Sequence, residues 1–118
     1  MAMKRVAIEF GMGTDLRGED YTKAAIRALK DALWHNSLTI GPALGFSGDA
    51  MIVDILIGVA QPEAVDRDAV AAILPYGTAR VECVEGGLDI EKDDGSGRTV
   101  MANAAVIVSF DLAIGAQA

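Results

Sequence analysis

Hydrophobic residues fall along this chain in two rhythms. Across Lys4 to Phe10 they alternate, with Val6, Ile8 and Phe10 on one side and Arg5, Ala7 and Glu9 on the other, which is the period of a strand. Gly11-Met12-Gly13-Thr14-Asp15-Leu16-Arg17-Gly18 breaks that pattern and reads as a glycine-punctuated loop. From Tyr21 to Trp34 the rhythm becomes helical: Ala25, Leu29, Ala32 and Leu33 share one face, Lys23, Arg27, Lys30 and Asp31 another, and no Gly or Pro intervenes. Glu19 and Asp20 fall in the first turn, where negative charge suits the positive end of the helix dipole, and Asn36 and Ser37 end the helix.

Gly41-Pro42, Gly45 and Gly48 make Thr39 to Asp49 a loop. Met51 to Ala60, nearly all Ile, Val and Leu, predicts a central strand covered by helices. Pro62 opens a short helix to about Ile73, Pro75-Tyr76-Gly77 turns the chain, and Thr78 to Glu85 alternates as a half-exposed strand. Asp93-Asp94-Gly95-Ser96-Gly97 marks a hairpin turn or mobile loop, Thr99 to Leu112 is the last long strand, and Gly115 to Ala118 is a frayed tail. The order is β-α-β-α-β-β with the last two strands as a hairpin. It predicts an α/β two-layer fold, a mixed four-stranded sheet with helices on one face, in a single domain of residues 1–118. The other face of so small a sheet needs a cover, and a second subunit is the expected one.

Composition sharpens the partners. Hydrophobic residues reach 52% but aromatics only 5%, so the core is Ala, Val, Ile, Leu and Met, and a homo-oligomer is expected to hide the surplus apolar surface. A net charge of −7 with scattered Lys and Arg excludes a nucleic-acid partner. The apolar runs Ile52 to Ala60 and Ala104 to Phe110 are too short to cross a membrane, and Asp54 interrupts the first. The N-terminus does not have the pattern of a signal peptide, so a cytoplasmic location is expected. Cys83 is the sole cysteine, leaving no internal disulfide, and with one histidine no metal centre or cofactor is expected.

Polar chemistry concentrates between Glu9 and Arg27. Lys23 and Arg27 lie one helical turn apart and suit a small polar or anionic metabolite, with Asp15, Arg17 and Asp20 to orient them. The plainer reading makes Glu19 and Asp20 helix-start charges and Arg27–Asp31 an i,i+4 pair. Gly11-Met12-Gly13 before a helix suits a phosphate, yet it lacks the third glycine of a dinucleotide loop and the Gly-Lys-Ser/Thr of a P-loop. His35 joins the candidate ligand set, although the helix dipole alone accounts for a histidine at a helix C-terminus. Ser37, Ser47, Ser96 and Ser109 have no nucleophile-elbow context, and Cys83 reads as a core residue.

The stretch from Ile8-Glu9-Phe10-Gly11-Met12-Gly13-Thr14-Asp15-Leu16-Arg17-Gly18-Glu19-Asp20-Tyr21-Thr22-Lys23 to His35-Asn36-Ser37-Leu38 resembles the opening of a small family of uncharacterised proteins from bacteria and fungi. The likeness continues through Leu74-Pro75-Tyr76-Gly77, Val84-Glu85-Gly86-Gly87 and Asn103-Ala104-Ala105. Gly11 to Lys23 is also similar to part of one repeat of the ring-opening amidohydrolases, the cyanuric acid hydrolase and barbiturase family. There Lys23 stands where that family has an arginine. Met12-Gly13 replaces its lysine loop, and Ile57-Gly58-Val59 its Ser-Gly-Gly. The element order resembles the trimeric Bacillus-type chorismate mutase, which implies a trimer with sites between subunits. The expected function is an oligomeric metabolite-binding protein or small enzyme with an inter-subunit pocket near residues 11–27. The alternative is a structural or regulatory self-assembling subunit without a small ligand; metal-dependent hydrolysis through Glu9, Asp15 and Asp20 ranks last.

Overall fold

The first strand, β1 (Met3–Asp15), runs unbroken through the glycines that the sequence reads as a loop. Their purpose is proximity. In the computed structural model, which describes residues 3–35, 51–74 and 77–111 (backbone alone at His35 and Asp111), helix α1 (Tyr21–His35) lies directly across β1. A Cβ at Gly11 would strike the Ala32 backbone, and one at Gly13 the Ala28 backbone. On the helix side Ala24, Ala25, Ala28 and Ala32 are fully buried. Small residues on both elements let the two backbones approach more closely than side chains normally permit.

The rest of the chain forms β2 (Ile52–Val59), a 3-10 turn (Pro62–Ala64), α2 (Arg67–Ala71), β3 (Thr78–Glu85), β4 (Ile90–Glu91) and β5 (Arg98–Asp111). The expected helix from Pro62 to Ile73 is therefore divided. Val65 is extended, and Asp66 caps α2 by accepting from the Ala69 amide at 3.1 Å. The expected helix end at Asn36 and Ser37, the loop from Thr39 to Asp49, the Pro75-Tyr76 part of the turn and the tail from Gly115 to Ala118 lie outside the described residues.

The strand order is β1-β5-β2-β3, with β4 also on β5. β5 runs antiparallel to β1, β2 and β4, while β2 and β3 are parallel. Among the described residues the sheet thus has five strands, and the four-stranded arrangement of the Bacillus chorismate mutase type is not the one formed. The expected hairpin between Thr78–Glu85 and the last strand is absent for a physical reason. A strand reached through a helical crossover lies parallel to its predecessor, so β3 docks on β2 and becomes an edge. The central place falls to β5, whose Val100, Ala102, Ala104, Val106, Val108 and Phe110 are buried beneath the helices. Only the two residues of β4 form a hairpin with it, Ile90 opposite Thr99 and Glu91 opposite Arg98.

Between β3 and β4 the chain crosses the end of β2 at a point built from glycine. A Cβ at Gly86 would lie 3.1 Å from Gly58 Cα, and Gly87 adopts φ +69° against the Met101 carbonyl. The Gly87 amide donates to Asn103 Oδ1 at 3.0 Å. Gly58, Gly86, Gly87 and Asn103, distant in sequence, form one crossing.

Candidate functional site

Between Asp15 and Arg27 the end of β1, a turn and the start of α1 bring several polar groups together. Asp15 is buried, and its Oδ2 accepts the Asp20 amide at 2.9 Å. That bond, opposed by burial and helped by the Gly18 and Arg17 amides and the Lys23 charge, holds the carboxyl below its ordinary value. Asp20 precedes α1 as its cap, accepting from the Lys23 amide at 3.0 Å, and neither it nor Glu19 lies in the first turn. Arg27 Nη1 donates to the Thr14 carbonyl at 2.6 Å and sits 3.9 Å from Asp15 Oδ1. Arg17 and Lys23 are exposed. His35 is the last residue of α1, and its side chain lies outside the description. Asp15, Asp20, Lys23 and Arg27 therefore meet in one turn, while His35 stands at the far end of the helix.

Arg27 and Asp31 have a further part to play. The Met12 amide donates to Asp31 Oδ2 at 3.0 Å, just as Thr14 O accepts from Arg27. Met12 and Thr14 share one parity on β1, so their backbone groups point the same way, out from the strand's free edge. Side chains of α1 thus cover part of that edge, and a bulge between Arg5 and Ala7 distorts another part.

A second polar network escapes the sequence because its members are far apart in the chain. Tyr21 Oη donates to Asp89 Oδ2 at 2.5 Å. Arg98 bridges Glu19 Oε1 at 3.3 Å and Asp89 Oδ2 at 4.0 Å. The bond to Asp89 pushes the Tyr21 hydroxyl's pKa up, aided by burial, which keeps it a donor. Glu19 is held at φ 50°. Together these tie the β4 hairpin to the start of α1. Among the described residues, no three His, Cys, Asp or Glu side chains gather as a metal site.

The sheet face away from the helices has a different character. Register places Ile8, Phe10 and Met12 of β1 beside Ile107, Ala105 and Asn103 of β5, with Leu56 of β2 next to Ala105. Phe10 is 71% exposed, Met12 59% and Ile8 46%, so this is an apolar surface facing solvent. Around it lie polar groups. Arg80 of β3 grips Asp54 of β2 through Nε–Oδ1 (2.7 Å) and Nη2–Oδ2 (2.9 Å), which raises the arginine's pKa further. Arg5 and Glu82 complete a shallow cleft of about 280 Å³ with that pair and Leu56 and Ile107. The sequence carried one signal for this site: a charged Asp54 inside an otherwise apolar strand needs a partner.

No curated protein matches the chain. A crystal structure of an FtsZ-like protein of unknown function from Nostoc punctiforme PCC 73102 is similar to it, with a TM-score of 0.84 and 34% identity over 94% of this chain and 98% of that one. This likeness places the five-stranded sheet with its helices on one face beside an FtsZ-like protein and away from the chorismate mutase type. No helix among the described residues is long and apolar enough to cross a membrane. Residues 5–108 match the conserved hypothetical protein family Lin0512_fam, and the chain belongs to that family.

Proposed function

We propose that this protein is a self-assembling subunit whose open sheet face packs against a second copy of itself. The observation that supports it is the arrangement of that face: an apolar centre of Ile8, Phe10, Met12, Ala105, Ile107 and Leu56 with Arg5, Asp54, Arg80 and Glu82 at its margin. Interfaces have this layout, apolar at the centre and polar at the rim. At strand spacings and rises common to all sheets the face measures about 700 Å² in projection. Side-chain relief makes its accessible area larger, which brings it to the roughly 800 Å² per partner of a stable interface. Burying a side chain such as Phe10 contributes about 2 kcal/mol. Light scattering behind size exclusion, over a dilution series, tests this. The wild type runs as an oligomer, and Phe10→Glu halves the particle mass while far-ultraviolet circular dichroism stays unchanged. A monomeric wild type, or an oligomer indifferent to both Phe10→Glu and Met12→Glu, overturns the reading.

A second reading, in which the assembly holds a small anionic metabolite, is favoured by the cleft, where the exposed Arg5 has no ion-pair partner among the described residues. Saturation-transfer resonance with benzoate as the probe tests it. Binding lost in Arg5→Ala supports this cleft, binding lost in Lys23→Ala moves the site to the turn, and no binding removes the reading.

A further inference from the structure

The two edges of the sheet are not alike. That of β1 is bulged and partly covered by Asp31 and Arg27. β3 ends the strand order on the other side, and its backbone polarity is fixed by two bonds at its ends. The Thr78 amide donates to Met51 O at 2.8 Å and the Gly86 amide to Val59 O at 2.9 Å. Even-numbered residues of β3 therefore spend their amides and carbonyls on β2. Those of Ala79, Val81 and Cys83 point outward, where no partner meets them among the described residues.

We infer that β3 is a docking edge for the β3 of a second copy, antiparallel about a twofold axis at Val81, which joins two sheets into one. Backbone parity allows registers that differ by two residues, and side chains choose among them. Centring on Val81 sets Ala79 opposite the partner's Cys83 in a hydrogen-bonded pair. It sets Arg80 opposite the partner's Glu82 in a non-hydrogen-bonded pair, where side chains approach most closely. The neighbouring register one way opposes two copies of Arg80; the other way opposes two copies of Glu82. Both place like charges face to face. Arg80 is already oriented by Asp54 through Nε and Nη2, which leaves Nη1 for the partner's carboxylate. Along the alternating edge Thr78-Ala79-Arg80-Val81-Glu82-Cys83-Val84, only the register centred on Val81 sets Arg80 opposite Glu82.

This edge contact shares Arg80 and Glu82 with the margin of the face contact but not its Phe10 centre, and the two fail separately. The decisive experiment is Ala79→Cys, oxidised with copper–phenanthroline at micromolar protein. Within one copy, positions 79 and 83 are about 13 Å apart along a strand, beyond disulfide reach, whereas across the twofold they are about 5.5 Å apart. A covalent dimer whose peptide map shows only the 79–83 linkage is expected, in the wild-type background and in Phe10→Glu alike. No dimer, or one linked 79–79 or 83–83, overturns the inference. Val81→Pro serves where the cysteine variant fails to fold. It deletes an outward amide without touching the β2 ladder, and it is expected to halve the native mass; unchanged mass in a folded variant also overturns the edge.

Discussion

Asp15 accepts hydrogen bonds from backbone amides that lie within five residues of it, so the turn folds around its charge. Its carboxyl titrates below the ordinary value because the Asp20 amide favours the ionised form. A depressed folded pKa contributes stability that is present above the unfolded value and lost as pH falls through the folded one. Asp15→Asn is therefore expected to lower stability by about 2 kcal/mol at pH 7, the scale of a charged hydrogen bond. Urea denaturation checks it: the gap between variant and wild type persists down to roughly pH 4 and closes only below that. A gap that is the same at pH 7 and pH 2.5 would mean that packing, and not the charge, is what Asp15 supplies. The sequence located Asp15 and its neighbours because their bonds are local. It gave no sign of Asp89, which meets Tyr21 across 68 positions of chain. Only topology makes that pair.

At the level of elements, the contact of α1 with β1 rests on having nothing at two positions. Gly13→Ala is expected to lift the helix from the strand, since the added carbon meets the Ala28 and Ala24 backbone, which cannot yield as a side-chain tip does. A loss of about 3 kcal/mol, or roughly 10 °C in Tm, is the expected result by calorimetry. Gly95→Ala is the control: open space surrounds that glycine, and its φ of 71° leaves only a local backbone cost. The same glycines explain what was legible and what was not. Helix α1 was predicted to within a residue because fifteen residues of uninterrupted amphipathic pattern have one solution. From sequence alone Gly11 and Gly13 read as a loop, because glycine is a turn signal when nothing is known to lie above it. Likewise the sequence predicts a hairpin of β3 with β5 because sequence neighbours are usually spatial neighbours, a tendency that the parallel docking of β3 on β2 overrides.

Considered as a whole, each subunit brings a net charge of −7 to any contact with its copy. Such subunits repel at long range while their apolar centres attract at short range. Raising ionic strength from about 0.01 M to about 0.15 M shortens the screening length from roughly 30 Å to roughly 8 Å. Association is therefore expected to strengthen with salt over that interval, the midpoint of the dilution series moving to lower protein concentration. A midpoint that moves the other way would assign the contact mainly to opposite charges. A last consequence comes from the register of β1 on β5, where Met3 lies opposite Asp111 and Asp15 opposite Val100. The earliest of the described strands thus pairs with the latest of them. At about 5–20 residues per second the N-terminal strand waits on the order of ten seconds for its neighbour. During that interval the backbone groups of β1 that later pair with β5 have no strand partner. Helix α1 follows β1 immediately in the chain, and its alanine face is the first surface that can shelter the strand while the rest is synthesised.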